Sequence, residues 1–275
     1  MSIPPSTRPS TRRITAQLSA LGVEDGGVLL VHASLRAVGG RALSVLRALR
    51  GALGPDGTLV VPAFTPENSD TSPQYRERIR GLDAEARRAV RAVMPPYDPA
   101  TSAAPSVGRL AETVRLAPGA RRSAHPQTSF AALGREAGKV VAHHRPDCHL
   151  GEHSPLGYLY DAKARVLLLG TGFDTCSAFH LGEYRVPDPP RRRYRCVVAG
   201  DGPRRWWEYE DVALDDSDFA ALGADFERAA GGGAVRTGPV GSAYARLFPF
   251  TDAVDFATRW LRGHRRMPSG AAGPS

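Results

Sequence analysis

The stretch RVLLLGTGFDTCSAFHLGEYR, residues 165–185, decides the fold class. Val166–Leu169 is an apolar run closed by Gly170 and Gly172, the signature of a strand buried on both faces in an α/β sheet. Asp174 or Thr175 can cap a short helix after it. That helix carries His180 and Glu183, which at i and i+3 share one face. A base and a carboxylate thus sit one turn beyond the carboxyl end of a central strand, where open α/β sheets bind ligands. The plainer reading makes His180 a packed helix residue and Glu183 a solvated one, and this stretch alone does not choose.

Working outward, Thr11–Leu21 reads as a helix and Val28–His32 as a buried strand. Leu43–Leu53 is an amphipathic helix and Thr58–Phe64 a second buried strand. This alternation calls for a parallel or mixed sheet with flanking helices. Gln74–Val93 reads as an exposed helix over a cleft, Ser106 as the cap of another, and Ala131–Ala142 as helical. His143–Pro155 is a histidine-bearing surface loop and Ser154–Tyr160 a short helix. Beyond residue 186, Arg191–Val198 and Arg204–Tyr209 form a hairpin around Gly200–Pro203. Asp215–Ala230, Val235–Gly241 and Thr251–Gly263 read as helix, final strand and closing helix. The expected architecture is one α/β domain over residues 11–265, with 186–265 as an α+β cap on a central mixed sheet. Residues 1–10 and 266–275 read as disordered tails.

The chain has 275 residues, 42% of them apolar, and a net charge of +8 carried by 34 Arg and 2 Lys. The basic residues are dispersed, not gathered into a stripe with a nucleic-acid motif, so no nucleic-acid partner is expected. A basic surface also suits a small polyanionic ligand. No apolar run approaches a membrane span, and residues 1–13 lack the apolar core of a secretory signal. Cys148, Cys176 and Cys196 are odd in number and scattered, as in a reducing cytoplasm.

Several chemistries find little support. His143, His144, His149 and His153 match no ordinary zinc spacing, and no metal is expected. There is no G-x-S-x-G elbow, no Walker loop and no G-x-G-x-x-G after a strand. Cys176 lies at i−4 from His180, so a Cys–His pair is conceivable. What remains is a base activating a bound nucleophile: His180, oriented by Glu183 or by a carboxylate from Glu67–Asp70. Segments 32–40, 106–110 and 121–130 are rich in backbone donors, and Arg36, Arg109, Arg121 and Arg122 suit phosphate.

The segments VHASLRAVGG, GTLVVPAFT, SVGRLAETVR, PGARRSAHPQTSFAALG, SPLGYLY, VLLLGTGFDTCSAFHLGEYR and DFAALGADFE occur in this order. Together they resemble the antibiotic N-acetyltransferase family, best known for aminoglycoside 3-N-acetyltransferases, from about Arg12 to Arg262. The resemblance implies an α/β fold distinct from the GNAT acetyltransferases. It implies direct, ternary-complex transfer from acetyl-CoA to an amine of a 2-deoxystreptamine ring, with His180 as general base beside Glu183, and antibiotic resistance as the outcome. It places coenzyme A along His32, Ser34, Leu35, Arg36 and Val38, with Ser106, Gly108, Leu110, Ser123, His125 and Ser129 around it. The thioester oxygen would meet backbone N–H groups near Ser34–Leu35. A polycationic acceptor needs carboxylates, for which Glu67, Asp70, Glu183 and Asp215 are the candidates. Ala33 stands where the family usually has a serine, and residues 66–96 match least. Another amine acceptor in antibiotic biosynthesis or self-protection, a non-catalytic coenzyme A-binding module, and a monomer or a homodimer all stay open.

Overall fold

Leu167, Leu168 and Leu169 are fully buried, yet they face two different cores. Val166 and Leu168 join one apolar cluster, while Leu167 and Leu169 join the other. A strand with period-2 side chains buried on both faces must lie inside a covered sheet. The computed structural model of the protein, which describes residues 8–199, 204–231 and 233–265, shows how that sheet is assembled.

In chain order the strands are β1 (Val28–Ala33), β2 (Thr58–Pro62), β3 (Arg121–Arg122), β4 (Phe130–Gly134), β5 (Arg165–Leu169), β6 (Arg191–Val198), β7 (Arg205–Val212), β8 (Arg236–Val240) and β9 (Ala243–Pro249). The helices are α1 (Thr11–Leu21), α2 (Leu35–Val38), α3 (Ala42–Leu53), α4 (Pro73–Arg78), α5 (Ala84–Ala92), α6 (Arg109–Arg115), α7 (Ala137–Ala142), α8 (Pro155–Asp161), α9 (Ala178–Arg185), α10 (Phe219–Ala229) and α11 (Phe250–His264). The main sheet has seven strands in the order β3-β4-β2-β1-β5-β9-β8. β1 runs parallel to β2 and to β5, and the remaining pairs are antiparallel. This is the mixed α/β sheet expected from the alternation of elements.

Helices α1, α3 and α6 cover one face through Ile14, Leu18, Val45, Leu49 and Val114. Helices α7 to α11 cover the other, with Val140, Leu159, Phe179, Phe226 and Val254 among the buried side chains. Gly170 turns the chain out of β5 at φ +70°, and a Cβ there would lie 2.7 Å from that of Ala37. Only glycine meets both the dihedral and the space.

The structure corrects several expectations. The C-terminal part is not a cap: β8 and β9 extend the main sheet beyond β5, and α11 packs on α9. Only β6 and β7 stand apart as a two-stranded sheet. Strand β9 was absent from the expected elements. Ala131–Ala142 is not one helix, because Phe130–Gly134 pairs antiparallel with β2 before α7 begins. Gln74–Val93 is split into α4 and α5 on either side of Gly81, at φ +76°. Ser106 lies in a 3-10 turn, and the N-cap of α6 is Gly108. Residues 215–218 precede α10 and are not part of it. Of the expected tails, residues 1–7 and 266–275 lie outside the described residues; residues 8–10 are described, and Ser10 caps α1. The tip of the hairpin, 200–203, also lies outside them.

Candidate active site

Three parallel strands end side by side, and the cavity lies at their carboxyl ends. Val31, His32 and Ala33 come from β1, and Val61, Pro62 and Phe64 from the end of β2. Thr171, Asp174, Ser177 and His180 follow β5. The cavity holds about 500 Å³ and is completed by Ser106 and Leu110 on one side and by Arg192, Tyr194 and Asp216 on another. Backbone at a parallel edge diverges into loops there, which opens room for a ligand.

Asp174 and Thr175 do not cap α9; they belong to a 3-10 turn, Phe173–Thr175, and Ser177 precedes the helix without a side-chain cap bond. The shorter turn still sets His180 and Glu183 on one face. Glu183 is buried, and its Oε2 lies 2.6 Å from His180 Nδ1. A carboxylate only accepts, so Nδ1 carries the proton and Nε2 is left as the basic nitrogen. His180 lines the cavity, and its Nε2 has no protein partner among the described residues.

The second carboxylate oxygen is held from elsewhere in the chain. Glu183 Oε1 accepts from Asp215 N at 3.0 Å and from Arg265 Nη1 at 2.5 Å. Arg265 also binds Asp218 with Nε at 2.8 Å. Burial alone would lower the guanidinium pKa, but the Asp218 and Glu183 carboxylates outweigh it and raise it. Glu183 is therefore fixed on both oxygens and can aim the imidazole.

His32 lines the same cavity as His180. Its Nε2 accepts from Ser177 N at 3.3 Å. Burial, with a smaller contribution from His180, pushes its pKa down to about 3, so the ring is neutral with its proton on Nδ1. Cys176 is fully buried and its thiol is pushed up to about 12 by burial, which removes it as a nucleophile.

Of the other expected residues, Ser106 and Leu110 line the cavity with His32 and His180. Glu67 is on the rim, next to the lining residue Pro66, and partial burial raises its pKa. Ser34, Leu35, Arg36 and Gly108 are near neighbours of lining residues without being among them. Ser34 N is spent on Leu169 O and its Oγ accepts from Ala37 N, so only the N–H groups of Leu35 and Arg36 remain without partners among the described residues. Val38 is in the core, its N–H bonded to Ser34 O and its carbonyl to Ser242 N.

Ser123, His125 and Ser129 are buried and bonded within the protein. Ser123 Oγ meets His144 Nδ1 at 2.9 Å, and Ser129 Oγ donates to Ala63 O at 2.7 Å. His125 Nδ1 accepts from the N–H groups of Gln127 and Thr128. Asp70 pairs with Arg195 outside the cavity, and Asp215 Oδ1 accepts from Ser217 N. Arg122 braces the wall, donating to Ala63 O and Ser129 Oγ.

The histidine loop is not wholly at the surface. His143 and His153 are exposed, but His144 and His149 are buried. His144 uses both nitrogens, and burial lowers its pKa to about 3. His149 Nδ1 lies 2.9 Å from Asp211 Oδ2, and its Nε2 lies 3.0 Å from the Tyr209 hydroxyl. Sequence reasoning missed Asp174, Asp216 and Arg192. Asp174 lay within the quoted stretch, where a carboxylate just past a strand end was the available signal. Asp216 and Arg192 gave none, because their place depends on how the hairpin docks.

A family model for aminoglycoside 3-N-acetyltransferases matches residues 30–262. The chain is 36% identical over 261 residues to the prophage-derived aminoglycoside N(3')-acetyltransferase-like protein YokD of Bacillus subtilis, covering 93% of this chain and 94% of that one. The crystal structure of YokD superposes with a TM-score of 0.86 at 35% identity, covering 94% and 95% of the two chains. The chain is 39% identical over 272 residues to aminoglycoside N(3)-acetyltransferase III of Serratia marcescens, covering 93% of this chain and 98% of that one. A coenzyme A complex of the acetyltransferase AAC-IIIb superposes with a TM-score of 0.78 at 30% identity, covering 95% and 99%. With a family match spanning most of its length and relatives aligned nearly end to end, the chain belongs to the aminoglycoside 3-N-acetyltransferase family.

Proposed function

We propose that the protein transfers the acetyl group of acetyl-CoA directly to the 3-amino group of a 2-deoxystreptamine ring, within a ternary complex, and so confers resistance to aminoglycosides. The observation that carries this reading is the His180–Glu183 pair, at 2.6 Å, with the unpartnered Nε2 of His180 on the cavity. In the reaction, Nε2 takes a proton from the attacking amine as its nitrogen bonds to the thioester carbon. Glu183 stabilises the imidazolium that forms; the C–S bond then breaks, and the imidazolium returns the proton to the leaving sulfur, which releases coenzyme A as thiol. His32, Ser34, Leu35, Arg36, Val38, Ser106, Gly108, Leu110, Ser123, His125 and Ser129 are retained as the segments around the donor. Of these, His32, Ser106 and Leu110 have the strongest geometric support, as they line the cavity. The free N–H groups of Leu35 and Arg36 suit an acyl oxygen.

The acceptor carries several ammonium groups, and carboxylates must meet them. Glu183, Asp70 and Asp215 already hold internal partners, which leaves Glu67 on the rim as the best of the expected set. Asp174 and Asp216 line the cavity and join it. The mixed sheet order, with β9 inserted beside β5, supports a fold distinct from GNAT. A coenzyme A thiol-release assay with gentamicin-, kanamycin- and neomycin-type compounds tests the proposal. Turnover is expected on at least one; none on any of them contradicts the acceptor assignment.

A further inference from the structure

The four arginines of β6, Arg191, Arg192, Arg193 and Arg195, have unequal fates. Arg191 pairs with Glu210, Arg193 faces Glu208, and Arg195 pairs with Asp70. Arg192 is half-buried and lines the cavity, yet among the described residues it has no carboxylate partner. Its Nε is buried without a hydrogen bond. The register explains why. The residue directly across from Arg192 is Asp211, on the same face of the hairpin. That carboxylate is already saturated: Oδ2 accepts from the N–H and Nδ1 of His149 and from the Tyr184 hydroxyl, and Oδ1 accepts from Val212 N. With its cross-strand partner taken, the guanidinium lies over the Tyr194 ring, 4.3 Å from the centroid.

A half-buried cation without a counter-ion is costly, and the cost is relieved when a ligand brings the opposite charge. A cavity built only for a polycation would not keep one on its wall. We propose that Arg192 is the anion-recognising residue of the cavity: its ligand presents a phosphate oxyanion to the guanidinium beside Tyr194. The cavity is then bipolar, with Asp174 and Asp216 for ammonium groups and Arg192 for the anion. This rests on the transferase reading for one of two sources, the phosphates of the acyl donor. The other source is a phosphate on the amine acceptor.

Calorimetric titration of the full chain separates the two without needing turnover. The variants are Arg192→Gln and Arg192→Met, the latter keeping the aliphatic stem against Tyr194 where Gln perturbs the hairpin. The ligands are coenzyme A against pantetheine, and glucosamine 6-phosphate against glucosamine. Loss of at least ~10-fold in affinity for coenzyme A, with pantetheine unchanged, supports the proposal and assigns the donor. The same loss confined to glucosamine 6-phosphate supports it and assigns the acceptor. Variants that fold and bind both phosphorylated ligands as the wild type does overturn it. A protein that shows the phosphate-dependent loss but acetylates no aminoglycoside refutes the acceptor assignment alone.

Discussion

Four histidines, His32, His125, His144 and His149, are buried and kept below the ordinary imidazole pKa, with burial as the leading cause in each. The native rings resist protonation, whereas those of the unfolded chain take it up near pH 6.5. Their contribution to stability is therefore whole above about pH 6.5. It is lost as pH falls from there toward about 3, where His32 and His144 titrate in the folded state. At pH 5.5 His32 and His144 each cost about 1 kcal/mol. The urea midpoint should fall clearly between pH 7.5 and pH 5.5, before most carboxylates titrate. An unchanged midpoint contradicts the assignment of these rings as buried and neutral. At this scale the sequence was half legible. His180 and Glu183 could be paired from their spacing alone, since i and i+3 meet on any helix. The surroundings of His149 could not, because they depend on Asp211 arriving from a strand some sixty residues away, and those of Arg192 could not, because they depend on what that same Asp211 already holds.

Elements were read well where the pattern was long and badly where it was short. Helices α1 and α3 and strands β1, β2 and β5 stand close to where the apolar periodicity put them. The expected helix Ala131–Ala142 includes AALG, whose alanines and leucine favour a helix, but pairing with β2 overrides that preference. AYARLFP, the strand β9, has no place among the expected elements, and its burial alternates only in part, so the period-2 signal is weak. The packing of α9 on α11 bears most directly on the site. A Cβ on Gly182 would lie 2.8 Å from that of Ala257 and 3.1 Å from Thr258 N, atoms that cannot swing aside. Gly182→Ala should destabilise the protein by about 1–3 kcal/mol, read as a lower urea midpoint. A midpoint equal to the wild type's would show that the two helices have slack.

At the scale of the molecule, the site is assembled from segments spread along the whole chain. His32 comes from the first strand, Ser106 from the middle, and His180 and Glu183 from α9. Arg265, beyond α11, holds the far oxygen of Glu183. The C-terminal segment therefore completes both the sheet and the support of the base, which is why reading it as a separate cap missed its part in the site. Among the described residues no helix is long and apolar enough to cross a membrane. The account depends most on His180 acting as the base for an amine bound in the cavity. The direct measurement is the steady-state rate of acetyl transfer by His180→Ala, with folding checked by its melting temperature and with an acceptor turned over by the wild type. The account predicts a loss of at least ~100-fold in kcat in a folded variant. A variant that keeps the wild-type rate would take His180 out of the chemistry and contradict it.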